Sequence, residues 1–233
     1  MHEVRGTLCT QQPRRTRWTR SVEPDRYDFR KGNFRVSSGN PEPLFDLSQA
    51  DVWPLLRKRG VQSGNVSNVS YKQVKPSGNF TQLQHNAFSI SYPSNWQTAS
   101  DQNSTVTIAP QAGVSQGAIA YGIIVGGAQN QSAPSLDQAM RALIQNLQQS
   151  NPGMQVSGNP KNIQVNGAQG RSVNLTSTSP VQENGRALAE RDWLVALARP
   201  QGGLLYVVFI APENQFRRLS RTYKKMLNSL RLK

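Results

Sequence analysis

Between His85 and Lys233 the hydrophobic period of this chain changes twice from strand-like to helix-like, and that order of patterns limits the folds open to it. Phe88, Ile90 and Tyr92 alternate with Ser89 and Ser91, which predicts a half-buried strand stopped by Pro93. Val106 and Ile108 alternate with threonines in a second strand, and residues 118–125 read as a third, closed by Gly126 and Gly127. A helix is predicted over Leu136–Gln149: Leu136, Ala139, Met140, Leu143, Ile144 and Leu147 recur on one face. Ser135 stands at the N-cap, Gln138 completes a capping box, and Asn151-Pro152-Gly153 ends the helix.

Four further strands are predicted. Ile163 and Val165 lead to Asn166-Gly167, a strong hairpin signal, and Arg171–Thr178 returns with Val173 and Leu175 on one face. Ala187–Ala198 is a long strand in which Trp193, Val195 and Leu197 share a face, and Pro200–Gly203 turns the chain back. Leu204–Ala211 is the most apolar run and is expected at the sheet centre. Pro212 and Glu213 open a terminal helix whose buried stripe is Phe216, Leu219, Tyr223, Met226, Leu227 and Leu230. Consecutive hairpins imply a mostly antiparallel sheet. Each amphipathic helix must bury its stripe against it, so the expected class is α+β, and helices on both faces would give a three-layer sandwich.

The residues upstream differ in kind. Residues 1–42 hold clustered arginines (Arg14, Arg15, Arg17, Arg20) with few aliphatics and no sustained period, and are expected to be a disordered basic tail. Trp18, Tyr27 and Phe34 interleave with the arginines, a mix also suited to stacking on single-stranded nucleic acid. Residues 43–59 carry a short apolar patch, expected as one or two helical turns closed by Arg57, Lys58 and Arg59. Residues 60–84, rich in Ser, Asn, Gly and Gln, read as a polar linker to a domain over 85–233.

Little catalytic chemistry is on offer. There are two histidines and one cysteine. His2-Glu3 begins a zinc-protease pattern, but Gly6 stands where its second histidine belongs. His85 has no G-x-S-x-G nucleophile elbow to serve and reads as a solvated residue. Glu183, Glu190 and Asp192 lie around one hairpin, and Glu190-Arg191-Asp192 is expected to be a charged strand edge. No phosphate-binding glycine loop is present, and no metal or cofactor is expected. The net charge of +14 suits a nucleic acid, an anionic membrane surface or an acidic partner, and equally a solvated surface. Arg217, Arg218, Arg221, Lys224 and Lys225 on the terminal helix are the candidate anionic-surface contacts. No apolar run approaches a transmembrane span, and the N-terminus shows no signal core, so the sequence as written reads as unexported.

Phe88, Ile90, Tyr92, Pro93 and Trp96 stand in an F-x-I-x-Y-P-x-x-W pattern that resembles the opening strand of PsbP-like domains. The run Leu204–Ile210, followed by a helix ending in Met226–Leu230, is similar to the end of the same domains, so the likeness spans residues 80–232. Leu55–Arg59, the polar stretch after it, Ser135–Ala139 and Arg191–Leu194 resemble the C-terminal extension of certain bacterial HtpX-like zinc metalloproteases. That resemblance implies an α/β/α sandwich, a periplasmic or envelope-associated setting and a non-catalytic role. This sequence lacks the protease's H-E-x-x-H, so no catalytic or metal residue carries over.

The first functional expectation is therefore a non-catalytic accessory module that assists substrate or partner binding at the cell envelope. Trp96, Tyr121 and Trp193 are either its working surface or simply core. The alternative is a basic binder of nucleic acid or anionic membrane through the N-terminal arginines and the terminal helix. An enzyme with an unrecognised site has no residue in its favour.

Overall fold

The computed structural model of the chain describes residues 66–67, 69–100, 105–115, 118–128 and 135–233. The expected tail (1–42) and apolar patch (43–59) lie outside them. Strand β1 (Val66–Ser67) is followed by a one-turn helix α1 (Tyr71–Val74), then by β2 (Phe80–Gln84), β3 (Phe88–Pro93), β4 (Gln97–Ser100) and β5 (Val106–Ala109). Short strands β6 (Val114–Ser115) and β7 (Ala118–Ile119) precede β8 (Gly122–Ala128) and helix α2 (Leu136–Ser150). Strands β9 (Gln155–Val165), β10 (Ala168–Glu183), β11 (Arg186–Ala198) and β12 (Leu204–Pro212) lead to helix α3 (Glu213–Ser229) and β13 (Arg231–Leu232).

The main sheet runs β1-β10-β11-β12-β8-β5-β4, with β9 also pairing on β10. Every pairing in it is antiparallel except β1 with β10. The fold is the expected α+β sandwich, and β12 is central, with all nine of its residues buried. Alternation along the strands divides the core in two. Val173, Leu175, Leu194, Ala196 and Val208 meet Met140, Leu143 and Leu147 of α2 on one face. Val195, Leu197, Val207 and Phe209 meet Phe216, Leu219, Tyr223 and Met226 of α3 on the other. Each Val, Leu, Met or Phe side chain so buried stabilises the fold by about 1.5–3 kcal/mol before the entropy of ordering it is counted.

Polar groups fix the helices in register. Ser135 Oγ accepts from the Gln138 N–H at 3.3 Å, and the Gln138 side chain accepts from the Ser135 N–H at 3.1 Å, completing the expected capping box. Asp137 in the first turn of α2 holds Arg171 of β10 through two contacts, 2.6 and 3.1 Å. The Tyr223 hydroxyl donates to the Ile210 carbonyl at 2.6 Å, tying α3 to the central strand. At the β9–β10 turn Asn166 and Gly167 both have positive φ (49° and 89°), as a two-residue hairpin requires. Asn166 does more than turn the chain. Its Nδ2 donates to the carbonyls of Asn228 (2.9 Å) and Leu230 (2.6 Å) at the end of α3, which also accept from Arg231 Nη1 at 3.1 and 3.3 Å.

Two expectations are corrected. The supposed linker contributes to the fold already at Val66–Ser67, which pair with β10, and again from Val69 onward. Val74 is fully buried, and Phe80 and Leu83 pack on the core, while β2 pairs with β3 in a small sheet beside α3. The Ser70 N–H donates to the Gln73 side chain at 2.9 Å, which starts α1, and Asn95 receives the Ser77 N–H at 2.8 Å and donates to the Lys75 carbonyl at 2.9 Å. A few apolar residues spread among Ser, Asn and Gly suffice, because their partners lie elsewhere in the chain. The third strand is also not continuous over 118–125. It breaks at Ala120-Tyr121 and resumes as β8, which runs through Gly126 and Gly127.

Candidate functional site

All five cations proposed from the sequence are exposed on α3, but they do not form one patch. Arg218 lies over the Tyr71 ring of α1 at 5.1 Å, and Lys225 over the Phe80 ring of β2 at 3.8 Å. These two cover the small-sheet side of the helix and cap its aromatic seams. Arg217, Arg221 and Lys224 follow one another at i, i+4 and i+7 along a different stripe. Among the described residues none of these three has an acidic partner within ion-pair distance.

Lys224 borders a partly open cleft of about 170 Å³ between α3 and strands β10–β11, lined also by Asn174, Trp193, Phe216 and Ser220. The register places Asn174 of β10 directly opposite Trp193 of β11, which in turn faces Phe209 of β12. The Trp193 indole stacks on Phe209 (centroids 4.9 Å, 27°), Phe209 contacts Tyr223 (5.1 Å), and Tyr223 meets Phe216 edge-on (5.6 Å). Arg191 lies 5.1 Å above the Phe216 ring and pairs with Glu213 at 3.2 Å. The cleft wall is thus braced from behind by aromatic contacts, while Trp193 itself stays only half-buried.

A model of the family described as PsbP-like protein matches residues 55–196, more than half of the chain. The chain belongs to the PsbP-like protein family. No curated protein matches it. Among solved structures, the PsbP-like chain is similar to cyanobacterial PsbP (CyanoP) from Synechocystis, with TM-score 0.48 and 10% identity, covering 68% of this chain and 95% of that one. It is also similar to LpqN of Mycobacterium tuberculosis, described as involved in cell envelope biogenesis (TM-score 0.46, 12% identity, 66% and 90% covered). A third is the Pseudomonas aeruginosa protein PA94, described as a putative regulator of unknown function (0.39, 14%, 65% and 96%).

The remaining sequence candidates in this PsbP-like chain fall elsewhere. Trp96 and Tyr121 are core residues, so of the three aromatics only Trp193 reaches the cleft. Burial, and then the charge of Glu183, pushes the Tyr121 hydroxyl up to about 12. Glu190 and Asp192 are not a charged edge: they are buried, 1% and 0% exposed, on an interior strand. Their parity turns them to the α2 face, away from the cleft, and Ser177 Oγ donates to Glu190 at 2.9 Å. The sequence hid this because a Glu-x-Asp alternation looks the same on either face of a strand. His85 is half-buried rather than fully solvated. Its ring lies tilted against Phe88 (centroids 4.8 Å, 32°), and its carbonyl accepts from Lys233 Nζ at 2.8 Å. Among the described residues there is no group of three or more metal-ligating side chains, and no helix is long and apolar enough to cross a membrane.

Proposed function

We propose that this PsbP-like chain is a non-catalytic accessory module that holds a protein partner or substrate segment on the α3 side of its sheet. The observation that supports it is the braced, half-buried Trp193 in a cleft bordered by Lys224, which has no ion pair among the described residues. Rigid aromatics such as tryptophan are among the side chains that dominate protein interfaces. The resemblance of Leu55–Arg59 and Arg191–Leu194 to the metalloprotease extension supports a finer assignment, an accessory to a zinc metalloprotease at the cell envelope. In that assignment residues 1–42 act as a basic tail and 43–59 as a short docking patch.

A photo-crosslinking residue placed at Ser220 in the source cells tests the reading, with one at Gln145 on α2 as control. A discrete adduct from Ser220 that disappears with Trp193→Ala is expected. No adduct, or equal adducts from both positions, overturns it. The exposed stripe Arg217–Arg221–Lys224 favours a second reading, contact with an anionic surface. That reading requires affinity that falls steeply and log-linearly with salt, as phosphate contacts impose.

A further inference from the structure

We infer that the partner segment is acidic and extended, with one apolar side chain seated against Trp193 and a carboxylate on Lys224; this rests on the accessory-module reading above. Charge decides the first part. Five acidic residues are described: Asp137, Glu183, Glu190, Asp192 and Glu213. Asp137 is tied to Arg171, Glu213 to Arg191, and Glu190 and Asp192 are buried toward the opposite face. Only Glu183, at the far hairpin tip, is exposed without an ion pair among the described residues. Against these stand Lys224, Arg217 and Arg221 on the helix, and Lys161 on β9, which pairs with Ser172 and therefore shares the α3 face. Among the described residues, the cleft thus presents Lys224 with no acid left to answer it.

Shape decides the second part. Beyond α3 the sheet surface continues over β10 and β9, where Ser172, Asn174 and Thr176 are half-exposed and Ser157 and Lys161 exposed. This is a polar shelf running along the strands, walled on one side by the helix, which suits an extended segment. The cleft at its inner margin, about 170 Å³, is large enough for one aromatic or branched side chain, since cavities of about 150 Å³ hold a benzene ring. An apolar anchor among carboxylates satisfies both the indole wall and the cation above it.

The test uses the full chain and labelled synthetic peptides read by fluorescence anisotropy. One peptide has glutamates around a single phenylalanine. The others replace that phenylalanine with alanine, or the glutamates with lysines. The acidic phenylalanine peptide should bind, and the alanine version should bind at least about tenfold more weakly, the order expected for losing one buried anchor. Trp193→Ala and Lys224→Glu should each weaken it by a similar factor, Lys224→Arg should retain binding, and thermal unfolding of each variant should show an intact fold. Binding indifferent to the phenylalanine, equal weakening by Arg218→Gln with Lys225→Gln, or binding only to anionic phospholipid vesicles overturns the inference in favour of diffuse charge. Tight binding of the lysine peptide, lost in Trp193→Ala, overturns the acidic preference and leaves the cleft reading standing. No binding by any peptide also overturns the inference, whereas the reading beneath it fails only with the Ser220 crosslink.

Discussion

Gly126 and Tyr206 are directly paired across β8 and β12, and the tyrosine ring lies over the glycine. A Cβ at residue 126 would collide with Oη and Cζ of Tyr206 and stand 2.9 Å from Cε1. Gly126→Ala should therefore cost about 1–3 kcal/mol through overpacking, read by denaturant unfolding; an unchanged midpoint would show that the ring has room to move. From sequence this glycine read as a strand breaker, because a residue kept small for a neighbour's sake looks identical to one that ends a strand. His85 makes a second residue-scale case. Burial first, and the charge of Lys233 second, hold its pKa below the ordinary 6.5. The unfolded chain therefore takes up that proton before the folded one does, and this contribution to stability is lost as pH falls below 6.5. An NMR titration should place the His85 midpoint under 6.5, with Lys233→Ala moving it upward; a midpoint at or above 6.5 contradicts the placement.

The elements that read well from sequence were those whose signals are local. The α2 capping box, the Asn166-Gly167 turn and the buried stripe of α3 each need only neighbours within a few residues, and all three stand as expected. What failed was non-local. Val74 is buried by contacts from elsewhere in the chain, so a window of Ser, Asn and Gly around it looked like linker. Replacing Val74 with alanine should lower stability by about 1–3 kcal/mol, which a true linker residue would not do. Asn166 likewise serves two elements at once. Asn166→Asp keeps a turn-forming residue but removes the shorter of two donors to the Asn228 and Leu230 carbonyls, leaving Arg231 Nη1, and puts a negative charge at the C-terminal end of α3. A loss of about 1–3 kcal/mol is expected in thermal unfolding; Asn166→Asp as stable as the parent would mean those bonds contribute nothing.

For the whole molecule, the antiparallel sheet, the central place of β12 and the packing of amphipathic helices on it followed from binary patterning, whereas the strand order did not. The candidate site was less legible. The sequence supplied both Trp193 and the cations of α3, but nothing in it joined them. Pairing Asn174, Trp193 and Phe209 across three strands requires the register, and splitting Arg218 and Lys225 from Lys224 requires the rings of Tyr71 and Phe80. The same geometry separates the two uses of charge open to this molecule, since one depends on a cleft and the other on a basic surface at large.

The most direct measurement is the affinity of the Ser220-crosslinked partner for three forms of the full chain, at low and at physiological salt: the parent, Trp193→Ala, and Arg218→Gln with Lys225→Gln. A binding cleft predicts a loss of about tenfold or more for Trp193→Ala at both salts and near-parental affinity for the double variant. Parental affinity in Trp193→Ala, with losses in the double variant that vanish at higher salt, would contradict the account and leave a basic surface as the working part of the molecule.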